Sequence, residues 1–310
     1  MNASILIVTR NRASDLAQTL RAMRLVHIPD CLKVELIVID NGSTDDTCEV
    51  VKTCDTGKLP LRYIHEPQVG QSVGRNRGMA ESTGDVILFT DDDVRPPPEW
   101  VGKMCEPIIQ GKAHAVSGGV RLVPDLLRPW MTWMHRSWLA STEWLSSGAV
   151  QSMVGANMAF LRAVLQRVPD FDPELGPGAA GFGDDGLFAA QLLAAGYQIH
   201  DCMNVCIEHH FEPSRLRRES WLSAARRRGE SLAYIQHHWE HRECRFGRFK
   251  LLRAAAKLAA WRAANRHKLE DEGCSETELC LVLRLATARG NMKERKRERL
   301  YERHGLVKLS

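Results

Sequence analysis

The sequence predicts an α/β protein, with a mostly parallel central sheet, helices on both faces and a helical C-terminal extension. Three observations predict it. Through the first hundred residues short apolar runs alternate with helix-periodic segments, the pattern of βαβ units. The runs are apolar throughout, as strands covered on both faces must be. From Ser214 to Arg303 almost every segment reads as helix.

The elements follow in order. Ser4–Thr9 is a buried strand. Ser14 opens a helix whose Leu16, Leu20 and Met23 share one face. Val34–Asp40 is a second strand and ends in a carboxylate. Leu61–Glu66 is a third. Gly84 and Asp85 lead into a fourth, Val86–Thr90, which runs into Asp91, Asp92 and Asp93. Pro96, Pro97 and Pro98 start a helix. The run AVSGGVRLV from Ala115 reads as a strand, and so does Met153–Phe160. A loop with Gly176, Gly178, Gly181 and Gly183 enters a helix that closes at Gly196. Ligands of such sheets sit beyond the carboxyl ends of the strands. That placement makes Thr9, Asp40 and Asp91 candidates.

Composition narrows the function classes. Of 310 residues, 44% are hydrophobic and 26% charged, which excludes disordered and collagen-like chains. No run approaches the ~18 apolar residues of a membrane span. The N-terminus has about five apolar residues and then two arginines, so it is no secretory signal, and a cytoplasmic protein is expected. Nine irregularly spaced cysteines read as reduced thiols. Residues 1–214 carry 18 basic against 26 acidic residues, and residues 215–310 carry 24 against 12. The acidic part suits carboxylate chemistry. The basic part suits phosphates, the anionic inner face of a membrane, or simply solvated helices. No RNA- or DNA-binding motif accompanies it, so no nucleic-acid partner is expected.

Four constellations could carry chemistry. In DNGSTDDT, Asp40–Thr47, a strand-end carboxylate followed by Gly42 and Ser43 suits a nucleotide, or is an ordinary helix cap by Ser43 or Thr44. In GQSVGRNRGMAESTGD, Gly70–Asp85, Arg75 and Arg77 at a helix start either clamp a diphosphate or lie on a solvated face. Asp91, Asp92 and Asp93 repel one another, and a strand end tolerates them best near a divalent cation. Asp184 and Asp185, after Gly183, sit where a mobile loop can offer a general base, or where a carboxylate caps a helix.

Together these motifs resemble family 2 glycosyltransferases and their GT-A fold over about residues 4–230. TRNR at 9–12, DNGSTDDT at 40–47, GRNRG at 74–78, FTDDDV at 89–94 and GDD at 183–185 occur in the family's order. The resemblance implies a nucleotide-sugar-binding half at 1–95, an acceptor-binding and catalytic half at 96–235, and a basic helical extension at 236–310. It assigns Thr9, Arg10, Arg12, Asp40 and Arg75 to the donor nucleotide, with Asp91 or Asp92 at the ribose. Asp93 is the first metal ligand, with Asp91 and His209 as further ones, for Mn²⁺ or Mg²⁺. His210 is the alternative to His209. Asp185 is the catalytic base, and Asp184, Arg215 and Arg218 are candidates for the acceptor or the departing diphosphate. Leu187 stands where the family often has another acid. No Gln-x-x-Arg-Trp motif follows, so a single addition is expected.

The expected activity is inverting, metal-dependent sugar transfer from a nucleotide sugar, UDP-linked by family habit. The acceptor is a hydroxyl of a glycan, lipid-linked or protein acceptor, in polysaccharide, lipid-linked glycan or glycoconjugate synthesis. A nucleotidyltransferase should show a glycine-rich basic signature at the first strand, which TRNRAS lacks. A non-catalytic carbohydrate- or nucleotide-binding protein would not need all four constellations. Trp130, Trp133, Trp138 and Trp144 read as core or contacts of a homo-oligomer, or as sugar-stacking and membrane-interface rings. The basic stretches 226–228 and 293–299 are candidates for peripheral contact with anionic lipid.

Overall fold

The computed structural model describes residues 1–143, 145, 152–266 and 271–309. Trp144 lies outside them. The first half is β1 (Asn2–Thr9), α1 (Ala13–Met23), β2 (Lys33–Asp40), α2 (Thr47–Thr53), β3 (Leu61–His65), α3 (Gln71–Glu81) and β4 (Val86–Thr90). These strands pair in parallel in the order β3-β2-β1-β4. Ile5 and Ile7 of β1 join Leu16, Leu20 and Met23 of α1 in one core, while Leu6 joins Met79 of α3 in the core on the opposite face. Both faces are buried, and this is why the strand reads as one apolar run.

The second half is β5 (Val94–Arg95), α4 (Trp100–Ile109), β6 (Ala115–Leu122), α5 (Trp133–Trp138), β7 (Asn157–Leu161), α6 (Asp184–Ala194) and β8 (Ile199–His209). They extend the sheet to eight strands, ordered β3-β2-β1-β4-β7-β6-β8-β5. Here the sheet becomes mixed: β7 is antiparallel to β4 and β6, and β5 to β8, while β6 and β8 are parallel. The strand expected from Met153 begins at Asn157, because a turn closes first, with the Asn157 N–H donating to the Val154 carbonyl. The sequence reading missed β8, whose IHDCMNVCIEH interleaves acids and cysteines without an apolar run.

The C-terminal helices are α7 (Arg218–His238), α8 (Gly247–Ala264) and α9 (Glu276–Glu294). α9 lies close along α7, because Gly229 and Gly290 face Ala286 and Ala233 where any Cβ would stand 2.6 Å from a neighbour's. Leu122, Phe211, Trp221, Leu258 and Leu279 form one apolar cluster that ties these helices to the sheet edge. Trp130 and Trp221 meet edge to face at 6.0 Å within it, so Trp130 is core, whereas Trp133 is exposed. The basic stretches expected at a membrane are partly turned inward. Arg228 lies 4.1 Å over Phe182 and 4.9 Å over Trp138, and burial pushes its pKa down to about 10. Arg297 bridges Glu174 at 2.7 Å and Glu294 at 2.8 Å. Among the described residues no helix is long and apolar enough to cross a membrane.

Candidate active site

The carboxyl ends of β1, β2 and β4 come together, with Thr9 paired to Asp40 and Ile7 to Thr90. Two turns latch there. Asn11 adopts a positive φ of 53°, which its short polar side chain tolerates. Its Oδ1 accepts the Thr44 N–H at 2.7 Å, and its own N–H donates to Ser43 Oγ at 2.9 Å. Asp40 closes the second turn: Oδ1 accepts the Ser43 N–H at 2.8 Å and Oδ2 accepts the Tyr63 hydroxyl at 2.7 Å. Asp40 is therefore the residue that fixes the turn, and neither Ser43 nor Thr44 caps α2, whose N-cap is Asp46. Burial and the adjacent Asp40 carboxylate raise the Tyr63 hydroxyl above its ordinary range. Arg10 is exposed at the rim.

Arg12 is the centre of the acidic cluster. Its guanidinium donates to Asp92 Oδ1 at 2.8 Å and to Asp93 Oδ2 at 2.7 Å. Burial opposes its charge, but Asp92 and Asp93 raise its pKa above the usual value. The expected nucleotide contact of Arg12 is thus an electrostatic support for two carboxylates in this state. Thr9 Oγ1 donates to Asp92 Oδ2 at 2.7 Å, so Thr9 also serves the cluster. Burial pushes Asp92 up to about 7, against the pull of Arg12. Burial would raise Asp93 as well, yet His209 and Arg12 hold it well below the carboxylate range. Asp91, half-buried, is raised by burial and by Asp93, and it makes no side-chain hydrogen bond or ion pair among the described residues.

His209 is the histidine that faces this cluster. Its Nε2 stands 3.3 Å from Asp93 Oδ2, and its Nδ1 donates to the Leu139 carbonyl at 2.8 Å. That carbonyl takes the Nδ1–H and fixes the ring so that Nε2 faces the Asp93 carboxylate. His210 turns away to Glu208, 3.6 Å distant, as alternation along a strand requires. Among the described residues no three or more His, Cys, Asp or Glu side chains are gathered as a ready cation cage, and Asp91 does not complete one. The donor set still fits a magnesium- or manganese-type ion. Asp93 Oδ1 is buried and has no hydrogen-bond partner among the described residues, and such ions are held by one or two carboxylates with substrate phosphates and water filling the shell.

The GRNRG motif packs α3 on the sheet and turns its arginines to protein partners. Gly74 and Gly78, one turn apart, let α3 lie directly on the sheet: a Cβ there would stand 2.6 Å from Val8 and 2.8 Å from Ile39. This turns Arg75 inward, 4% exposed, where it pairs with Asp184 Oδ2 at 2.5 Å and lies over Phe89 and Phe171. Arg77 points outward to Glu81 at 2.8 Å. Burial raises the Asp184 carboxyl, with Arg75 opposing. Asp184 is thus a latch between α3 and α6, and Arg75 is not free for phosphate. Asp185 is half-buried and accessible. Its Oδ2 accepts the Gly155 N–H at 2.9 Å and its Oδ1 the Gly186 N–H at 2.8 Å, which fixes the carboxylate and leaves lone pairs open. Leu187 packs with Leu175 and Tyr234.

A cavity of about 480 Å³ is lined by Trp138, Leu139, Phe182, Arg215, Trp221 and Arg227 among others. Arg215 sits over Phe211 at 5.7 Å; burial lowers its pKa, while Asp93 and Asp91 attract it. Arg218, expected near the diphosphate, is bound here to Glu278 of α9 and to the Cys274 thiol. Sequence reasoning missed Tyr63, the Leu139 carbonyl and Phe182, which carry no motif of their own.

The chain is 31% identical over 112 residues to the succinoglycan biosynthesis protein ExoM of Rhizobium meliloti, 36% of each chain. It is 30% identical over 118 residues to the glycosyltransferase AglE of Haloferax volcanii, 38% of each. The match thus spans little more than a third of these relatives. Among solved structures, a mannosyltransferase from Pyrobaculum calidifontis in complex with GDP-Man and Mn²⁺ superposes with a TM-score of 0.61 at 18% identity, over 94% of this chain and 86% of that one. Staphylococcus aureus TarS 1-349 in complex with UDP gives 0.53 at 15%, over 96% and 90%. These likenesses show the fold, which is GT-A. The model of glycosyl transferase family 2 matches residues 4–168, a span that holds the latched turns, Arg75 and the acidic triplet, and the chain belongs to that family.

Proposed function

We propose that the chain is an inverting, metal-dependent glycosyltransferase. It adds one sugar from a nucleotide-sugar donor, UDP-linked, to a hydroxyl of a glycan, lipid-linked or protein acceptor. The observation that carries this reading is the unpartnered buried Oδ1 of Asp93 beside the Nε2 of His209. Asp93 and His209 would hold a divalent cation there, which would supply charge neutralisation for the departing diphosphate. The structural neighbours, one in complex with GDP-Man and Mn²⁺ and one with UDP, support a nucleotide donor and a divalent ion.

The chain's own residues supply the rest. The turn held by Asn11, Asp40 and Tyr63 receives the nucleoside, with exposed Arg10 at its rim. Asp91 faces the ribose. Arg12 balances the charge on Asp92 and Asp93 and, with His209, keeps Asp93 ionised for the ion. Arg215, which lacks an ion pair among the described residues, faces the same acids and stabilises the leaving diphosphate. The cavity between Trp138 and Phe182 takes the acceptor. Asp185 accepts the acceptor hydroxyl's proton as the anomeric bond to phosphate oxygen breaks, so one displacement inverts the centre.

The test is a panel of nucleotide sugars with purified protein and Mn²⁺ or Mg²⁺. Metal-dependent release of nucleotide from one donor, lost in Asp93→Ala, is expected. No release and no nucleotide binding by calorimetry would remove the reading.

A further inference from the structure

α8 presents an outward face that the rest of the chain leaves uncovered. Only Gly247 and Leu258 are buried along its 18 residues. Phe249 is 63% exposed and Leu252 70%, and Phe246 at the helix start is 80% exposed. At 3.6 residues per turn, Phe249, Leu252, Ala256, Ala260 and Ala263 fall on one stripe about 80° wide, and all five are exposed. Arg253, Lys257 and Lys250 flank one edge of the stripe and Arg248 the other. The helix contains no acid, and these four cations have no ion pair among the described residues. An apolar stripe between basic edges is the pattern of a helix lying in a membrane interface.

A second feature joins it. Beside the start of α8 a cleft of about 280 Å³ is lined by Arg242, Arg245, Arg295 and Arg299 among others. Arg242 and Arg245 are paired with Glu240 and Glu243, while Arg295 and Arg299 have no ion pair among the described residues. Gly247 packs on Met292 of α9, which brings the exposed Phe246 next to this cleft. Apolar rings beside unpaired guanidinium groups suit a phospholipid headgroup with its acyl chains beneath.

We propose that the α8 face, Phe246, Phe249 and Leu252 with their flanking cations and the adjoining arginine cleft, docks on an anionic phospholipid surface. Charge complementarity selects that occupant. On a second copy of this chain the same cations would face one another across a symmetric contact, and no acid lies on the stripe to balance them. Leu258, on the inner side of α8, shares its cluster with Trp221 of the acceptor cavity, so the docked helix backs onto that cavity. The proposal deepens the transferase reading, on which it rests for the acceptor's source: a hydroxyl carried on lipid.

The test is sedimentation of the intact chain with phosphatidylcholine vesicles, with and without phosphatidylglycerol, in the absence of donor. Its failure is therefore separate from failure of nucleotide-sugar turnover. Binding at least about tenfold tighter to the anionic vesicles, weakened by salt, is expected. Phe249→Glu with Leu252→Glu should abolish it, and Arg295→Ala with Arg299→Ala should weaken it by about fivefold per charge. Nucleotide binding and circular dichroism should be unchanged in both variants. If the glutamate variant does not fold, Phe249→Ser with Leu252→Ser makes the same test. No vesicle binding, equal binding to both vesicle types, or retained binding in the glutamate variant would overturn the proposal. So would a wild-type dimer that the same substitutions turn into a monomer.

Discussion

Removing the Arg75 guanidinium would leave a carboxylate stranded in the core. Asp184 and Arg75 have side chains only 6% and 4% exposed, and they meet at 2.5 Å. A buried pair broken on one side costs about 3–5 kcal/mol, because the remaining charge loses its partner where water cannot replace it. Arg75→Met keeps most of the volume and so isolates this electrostatic cost. At about 2–4 °C per kcal/mol in domains somewhat smaller than this one, the thermal midpoint should fall by roughly 6–20 °C at pH 7. The deficit should shrink as pH drops, since the unpartnered carboxyl takes up a proton. Asp184→Asn should cost less. Arg75 would keep an acceptor and the faces of Phe89 and Phe171, at 5.7 and 5.2 Å, worth about 0.5–2 kcal/mol. Arg75→Met with Asp184→Leu should recover at least half of the loss. Thermal unfolding followed by circular dichroism reads all three variants. A drop below about 3 °C in Arg75→Met, with no dependence on pH, would refute the buried latch.

His209→Gln should lower affinity for Mn²⁺, titrated in the presence of UDP, by about 10- to 100-fold, with the thermal midpoint little changed; unchanged affinity would remove His209 from the ion site. Acid should destabilise the C-terminal helices. Burial raises Glu278 and Asp172, but Arg218 and Arg262 for the first and Lys308, Tyr301 and Tyr234 for the second bring both below their unfolded values of 4.5 and 3.8. Their contribution is therefore full above those values and is lost as pH falls through and below them. Below about 4.5 the thermal midpoint should fall less steeply in Glu278→Gln than in the wild type; parallel falls in the two would contradict this. Gly78→Val should force α3 off Ile39 and Leu6 and lower the midpoint by several degrees; an unchanged midpoint would show that α3 does not depend on this close approach.

The parallel half of the sheet was legible because strands buried on both faces must be apolar throughout, as Ile5 to Val8 and Leu36 to Ile39 are. The mixed half was less so. β8 mixes inward His209 and Cys202 with outward Asp201 and Glu208, and no single period marks it. Site positions followed from strand ends, but partners did not. Arg12 and Arg75 read as ligands of an anion because nothing in sequence shows that Asp92, Asp93 and Asp184 lie within reach. The choice between His209 and His210 needed the register of β8 against β5, which pairs His209 with Val94 beside Asp93.

Asp185→Asn tests the account most directly. With donor, metal and an accepted substrate, transfer should fall by about 10²–10⁴, while the calorimetric affinity for nucleotide stays within about twofold. Near-wild-type turnover in that variant would contradict the assignment of Asp185 as the base and with it the proposed displacement.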